Sequence, residues 1–136
     1  MLFEKSIKEG YAKEVKKDKL RAQSLIKSAE DTILATKDIY LKDYNYKTVL
    51  RELYEALRQY CEAVGYVYGY KFLSHEVITI FLKEILKEER ISLEFDRYRK
   101  LRNGINYYGR DVSKETVENA LIEIPQIIKR LQIYCK

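Results

Sequence analysis

The chain has 136 residues, a formal net charge of +5, two cysteines, one proline and thirteen tyrosines. This length predicts one domain that buries a core of its own, and two cysteines exclude a disulfide-rich scaffold. The sequence contains no run of eighteen apolar residues and no signal pattern, so we expect a cytoplasmic protein that does not insert into a membrane.

Few helix breakers and abundant Leu, Ile, Lys, Glu and Ala predict an all-α fold for a single domain over residues 1–136. The single methionine and the abundant Lys and Glu are typical of heat-adapted proteins. Apolar spacing predicts one long helix over residues 13–41, preceded by a short helical turn. Asp43 and Asn45 are N-cap candidates for a second helix, which we expect to end near Gly69.

The second half of the chain predicts three more helices. Ser74 and Glu76 have the pattern of a helix start, and the helical period that follows extends through residue 86 and beyond. Ser92 or a neighbour is expected to open the fourth helix, and Ser113 the last one. Pro125 lies inside that last helix and is expected to kink or split it.

Residues 97–110 carry five basic residues and no acidic one in fourteen positions, whereas charges elsewhere are largely interspersed. At 3.6 residues per turn, the apolar face of this fourth helix comprises Tyr98, Leu101, Ile105 and Tyr108. The opposite face comprises Arg99, Arg102, Asn103, Asn106 and Arg110. Gly104 costs about 1 kcal/mol relative to alanine inside a helix, which favours a close approach by a helix, a partner chain or a ligand. A solvated basic face is the alternative interpretation.

Three segments resemble a known family: residues 54–58 (Tyr-Glu-Ala-Leu-Arg), 69–76 (Gly-Tyr-Lys-Phe-Leu-Ser-His-Glu) and 99–107 (Arg-Lys-Leu-Arg-Asn-Gly-Ile-Asn-Tyr). They are similar to the HEPN superfamily (higher eukaryotes and prokaryotes nucleotide-binding), especially to small single-domain prokaryotic members that lack the motif histidine. The resemblance implies an up-and-down bundle of four main helices plus a short or kinked additional helix. It also implies a homodimer that brings two fourth helices together.

The resemblance also implies a chemistry, that of metal-independent ribonucleases of the family, which use an Arg-x4-6-His motif. There the arginine stabilises charge on the phosphate and the histidine moves a proton. Arg102 matches the arginine and Asn103 the polar residue after it, but Tyr107 stands in place of the histidine. A tyrosine, with a pKa near 10, is a poor proton shuttle at neutral pH. We interpret the only histidine, His75, as part of a helix start, since it would otherwise have to reach the site from another helix or subunit.

The favoured hypothesis is a domain that binds RNA or a nucleotide phosphate without efficient nuclease activity, through Arg99, Arg102, Asn103, Asn106, Tyr107 and Arg110. Glu55 is a candidate acid for orienting Arg102, and an exposed ion pair with Arg58 is the alternative.

Two other hypotheses stay open at this point. One makes the chain the partner of a small nucleotidyltransferase, as one half of a toxin–antitoxin-like pair. The other makes it a metal-independent ribonuclease that uses Arg102 with Tyr107 or His75. No cofactor or metal is expected, because one histidine and two distant cysteines cannot form a zinc site.

Overall fold

The computed structural model describes residues 2–135, and most of them are helical. The helices are α1 (Leu2–Lys8), α2 (Lys19–Lys37), α3 (Tyr46–Tyr68), α4 (Glu76–Glu84), α5 (Glu89–Tyr108) and α6 (Lys114–Leu131). The other elements are the strands β1 (Ala12–Glu14) and β2 (Tyr70–Phe72) and the 3₁₀ turns Asp43–Asn45 and Gln132–Cys135. The predicted helical class is confirmed, with one small sheet added. No helix within residues 2–135 is both long and apolar enough to cross a membrane.

Helix α3 lies at the centre of the core and packs against α2, α5 and α6. Its buried side chains recur at helical spacing and include Val49, Leu50, Leu53, Leu57, Cys61 and Val64. The helix ends at Gly69, whose φ of +88° lies in the left-handed region. Glycine adopts this conformation without a Cβ clash, so the predicted end of the helix is confirmed.

The chain between α1 and α2 is extended. Strand β1 pairs antiparallel with β2, with Ala12 opposite Phe72. The predicted helix over residues 13–41 is therefore wrong at both ends, because α2 begins at Lys19 and ends at Lys37. Because β1 pairs with β2, the backbone N–H and C=O groups of residues 12–14 find hydrogen-bond partners without forming a helix.

The starts of α4 and α5 differ in how well the sequence predicted them. The Ser74 hydroxyl oxygen accepts a hydrogen bond from the backbone N–H three residues later at 3.2 Å, as expected of an N-cap. Helix α5 begins at Glu89, so Ser92 lies in its first turn and does not precede it. Ser92 is buried and donates its hydroxyl to the Thr79 carbonyl at 2.9 Å, which ties α5 to α4.

Two further N-cap predictions have different outcomes. Ser113 caps α6 as predicted, because its hydroxyl oxygen accepts a hydrogen bond from the Thr116 N–H at 3.1 Å. Asn45 directly precedes α3, but its side chain accepts from the Lys42 N–H at 3.0 Å and donates to the Tyr40 carbonyl at 3.0 Å. Asn45 therefore closes the preceding turn and leaves α3 without a side-chain cap.

Helix α6 runs without a break past Pro125, so the predicted split is absent. Proline removes one backbone hydrogen bond from a helix. Burial of one complete face offsets this loss; that face comprises Val117, Ala120, Ile124, Ile127, Ile128 and Leu131.

Candidate functional site

Helices α3 and α5 run antiparallel beside the basic segment, since their contacts occur in opposite order along the two helices. Near the start of α3, Lys47 Nζ donates to the carbonyl oxygen that follows the end of α5, at 3.3 Å. One turn further along α3, Arg51 Nη1 lies 3.5 Å from Asn106 Oδ1. One turn further again, Arg102 stacks on Tyr54. We call Lys47, Arg51, Arg102 and Asn106 the α3/α5 surface.

Arg102 is held by two neutral side chains. Its Cζ lies 5.0 Å from the centre of the Tyr54 ring, a cation–π distance. Its Nη2 contacts Nδ1 of His75, and the Tyr54 hydroxyl lies 3.0 Å from the same nitrogen. Tyr54 is buried, with 1% of its surface exposed, whereas Arg102 and His75 are partly exposed. The guanidinium is therefore held in place and keeps one side open to solvent.

The protonation states in this cluster follow from burial and charge. Burial, together with the positive charges of Arg102 and Arg58, lowers the pKa of His75 to about 4. Burial raises the pKa of Tyr54 to about 12, so its hydroxyl keeps its proton at neutral pH. His75 is therefore neutral at pH 7; because a guanidinium can only donate, Nδ1 is the acceptor and the proton lies on Nε2.

His75 lies at the start of α4, but its side chain makes no capping hydrogen bond there. Ser74 provides that cap, and the imidazole faces Arg102. The sequence placed His75 at a helix start and did not anticipate this contact, because the two residues are 27 positions apart and lie on different helices. No local pattern in the sequence signals it.

Arg102 forms no ion pair with a carboxylate of residues 2–135. Glu55, the candidate orienting acid, instead pairs with Arg58, as does Glu62. The structure therefore agrees with the alternative interpretation, in which Glu55 forms an ion pair with Arg58. The positive charge of Arg102 is left without a compensating acid beside it.

Arg99 differs from Arg102 because its charge is compensated. Its Nη2 lies 2.7 Å from Asp96 Oδ1, and its Nη1 lies 3.7 Å from Glu76 Oε1. Only 12% of its side chain is exposed. The structure therefore places Arg99 in an ion-pair network with acids of α5 and α4, and this network occupies its donors.

The remaining predicted residues do not all share one face with Arg102. Arg110 follows the end of α5 and stacks on Tyr108, with Cζ 5.2 Å from the ring centre. Tyr108 was expected on the apolar face but is 73% exposed. Tyr107 is 71% exposed and points about 140° around the helix axis from Arg102. Asn103 is partly buried, and it is offset by about 100° from Arg102.

Arg51 and Lys47 were missed as site residues. Together with Tyr54 they recur at spacings of four and three along α3, which places them on one side of the helix. This periodicity is visible in the sequence. The identity of the helix that meets that side is not, because it depends on how α5 packs.

Two glycines inside helices are expected to respond in opposite ways to alanine. A Cβ on Gly65 would lie 2.7 Å from the Phe72 ring and 3.2 Å from the Tyr70 carbonyl, so Gly65→Ala should destabilise by about 1–3 kcal/mol. A Cβ on Gly104 would meet only the exposed Arg110 side chain, at 3.2 Å from Cδ. Gly104→Ala should therefore stabilise by up to about 1 kcal/mol through helix propensity. Urea unfolding of both variants checks this, and shifts of the same sign would contradict it.

The close approach expected at Gly104 is made by the chain itself, through the Arg110 side chain. No group of three or more His, Cys, Asp or Glu side chains within residues 2–135 is arranged to hold a metal ion. The two thiols, Cys61 and Cys135, are free. At the α3/α5 surface Lys47 pairs with the Asp111 carboxylate, at 3.3 Å. Arg51, Arg102 and Asn106 therefore supply the chemistry available there, that of two cations and a neutral amide.

Comparisons of the chain with family models, with curated proteins and with solved structures found no match. The three segments that suggested a resemblance to a known family nevertheless come together in the fold. Two of these segments meet in the fold at the candidate site, since Tyr54 and Arg102 stack on each other. The third segment supplies His75 to the same cluster.

Proposed function

We propose that this chain is a HEPN-like helical domain that binds the phosphate of RNA or of a nucleotide through Arg102. The domain is an up-and-down bundle of four main helices with additional short elements, and it acts as a homodimer. Arg51 and Asn106, on the same surface, supply a second cation and an amide. Arg99, Asn103, Tyr107 and Arg110 act at the edges of this site.

The observation that carries the proposal is the uncompensated guanidinium of Arg102. Arg97 and Arg99 on the same helix are paired with acids, whereas Arg102 is held by His75 and Tyr54. An arginine without a bound carboxylate keeps its donors and its charge for a phosphate, which it can bind with two parallel hydrogen bonds.

The same cluster supports binding without efficient nuclease activity. A base with a pKa of about 4 accepts a proton weakly at pH 7, and Nδ1 of His75 is already occupied by Arg102 and Tyr54. Tyr107, which stands at the position of the motif histidine, is 71% exposed and is offset by about 140° from Arg102 around the helix axis. A proton shuttle beside Arg102 is therefore lacking at neutral pH.

Titration of a fluorescently labelled single-stranded RNA at two salt concentrations tests the proposal. Arg102→Ala should weaken binding about tenfold and reduce the slope of log affinity against log salt by about 0.7, the value for one lost phosphate contact on a single strand. The matched control is Arg97→Ala, which removes an arginine of the same helix that Glu123 compensates. We expect it to change affinity less than twofold. Equal affinities for wild type and Arg102→Ala at both salt concentrations would overturn the proposal.

One observation favours a second candidate function, a metal-independent ribonuclease. The only histidine contacts the motif arginine, so both residue types of such a site are adjacent although they lie on different helices. The titration samples are prepared without metal ions. Gel analysis of the RNA in them decides between binding alone and cleavage. Cleavage that disappears in Arg102→Ala would establish the enzyme, and intact RNA would leave the binding function. If no RNA binds at any salt concentration, the partnership with a nucleotidyltransferase becomes the next hypothesis to test.

A further inference from the structure

The backbone that carries His75 is held in place by its neighbours. Ser74 caps α4 through the bond described above, and β2 immediately precedes this turn and pairs with β1. On the other side of the imidazole, Tyr54 is buried against Phe95, with ring centres 5.6 Å apart. The imidazole therefore lies between a capped helix start and a packed aromatic ring, which limits its movement.

The contact between His75 and Arg102 joins a cation to a neutral acceptor. Arginine side chains in proteins are usually held by carboxylates, and such a pair has no net charge. A neutral nitrogen restricts the rotamers of the guanidinium but leaves its whole positive charge for a ligand. A side chain that is ordered before binding loses less conformational entropy when the ligand arrives.

The other charged groups around the imidazole are consistent with this arrangement. Arg58 is compensated by Glu55 and Glu62, and Arg99 by Asp96. Arg102 is thus the cation near His75 whose charge is not offset by a paired acid within residues 2–135.

We infer that His75 is a positioning residue of the phosphate site, which holds the Arg102 guanidinium through a neutral Nδ1 acceptor so that an anion meets an ordered and uncompensated charge. The inference rests on the proposed phosphate-binding function. It assigns to His75 a role that needs no proton transfer.

Three substitutions of His75 distinguish the effect of orienting the Arg102 guanidinium from the effect of leaving its charge uncompensated. His75→Asn places a neutral oxygen at the position of Nδ1, so RNA affinity should stay within about twofold of wild type. His75→Leu removes the acceptor, so the guanidinium is no longer ordered before binding and affinity should fall about fivefold, with an unchanged salt slope. His75→Asp keeps an acceptor but neutralises Arg102, so affinity should fall about tenfold and the salt slope should drop by about 0.7.

The same labelled single-stranded RNA and the Arg102→Ala variant are used beside the three His75 variants. If Arg102→Ala binds like wild type, the phosphate-binding function fails, and the inference fails with it. If Arg102→Ala is weakened but His75→Leu and His75→Asp bind like wild type, only the role of His75 is wrong. If His75→Asn is as weak as His75→Leu, the acceptor role of Nδ1 is wrong.

A second measurement needs no ligand and no substitution. Because the chain has one histidine, the nitrogen resonances of its imidazole are assigned without ambiguity in a labelled sample. We expect an unprotonated Nδ1 and a protonated Nε2 at neutral pH. A protonated Nδ1 would overturn the inference even where a His75 variant fails to fold.

Discussion

Replacing Phe81 with alanine is expected to lower the free energy of unfolding by about 3–5 kcal/mol, which is a large part of the stability of a domain of this size. Phe81 is fully buried on α4, and its ring lies between rings from α1, the end of α3 and β2. The distances between ring centres are 5.7 Å to Phe3, 5.8 Å to Tyr68, 6.0 Å to Tyr70 and 5.0 Å to Phe72. Alanine would leave a cavity that these rings cannot fill without moving.

Urea unfolding followed by circular dichroism measures this effect. Leu93→Ala is the control, because Leu93 lies on α5 and is 68% exposed, so its removal should change the stability by less than about 0.5 kcal/mol. An equal loss in both variants would show that the aromatic cluster around Phe81 does not stabilise the packing of α1, β2 and α4.

Local signals in the sequence predicted several boundaries of the fold correctly. The end of α3 at Gly69 and the caps that Ser74 and Ser113 provide for α4 and α6 are each decided by residues within one helical turn. The pairing of β1 with β2 could not be predicted in this way. Two complete helices, α2 and α3, separate the strands along the chain, and each strand has only three residues.

At the candidate site, too, features set by neighbouring residues were predictable and contacts with distant residues were not. The basic segment is evident in the sequence, but the structure is needed to see that Arg97, Arg99 and Lys100 pair with acids. Arg102 and Arg110 have no ion pair among the described residues. The compensation of Arg97 and Arg99 comes partly from Glu123 and Glu76, which lie outside the segment. A count of charges within residues 97–110 therefore could not separate free cations from paired ones.

The position of Arg110 also depends on structure beyond the helical period. A helical wheel places it on the basic face only if α5 continues past residue 109. Gly109 instead adopts a φ of +62° and ends the helix. The side chain of Arg110 then covers Gly104 and stacks on Tyr108. Sequence periodicity is informative within a helix, and it loses its meaning at the residue where the helix stops.

Acidification is expected to destabilise the protein between pH 6.5 and pH 4 through His75. Its pKa is about 4 in the folded chain because of burial and the adjacent Arg102, and 6.5 is its ordinary value. Between these two values the unfolded chain binds a proton that the folded chain excludes, so stability falls as the pH falls. The full difference corresponds to about 3 kcal/mol. Since His75 is partly exposed, solvent screening reduces this to about 1–2 kcal/mol.

Urea unfolding at several pH values compares wild type with His75→Asn, which removes the titrating group and keeps the acceptor for Arg102. The stability of the variant should be nearly constant over the range in which wild type loses about 1–2 kcal/mol. The Asp96 carboxyl affects stability over a different, more acidic pH range. Burial raises its pKa, but hydrogen bonds from Arg99 and Lys100 outweigh this and hold the pKa below its usual range, so its contribution is lost only under more acidic conditions. Parallel curves for wild type and His75→Asn would show that burial and Arg102 do not lower the pKa of His75, because the histidine would then titrate alike in the folded and unfolded chains.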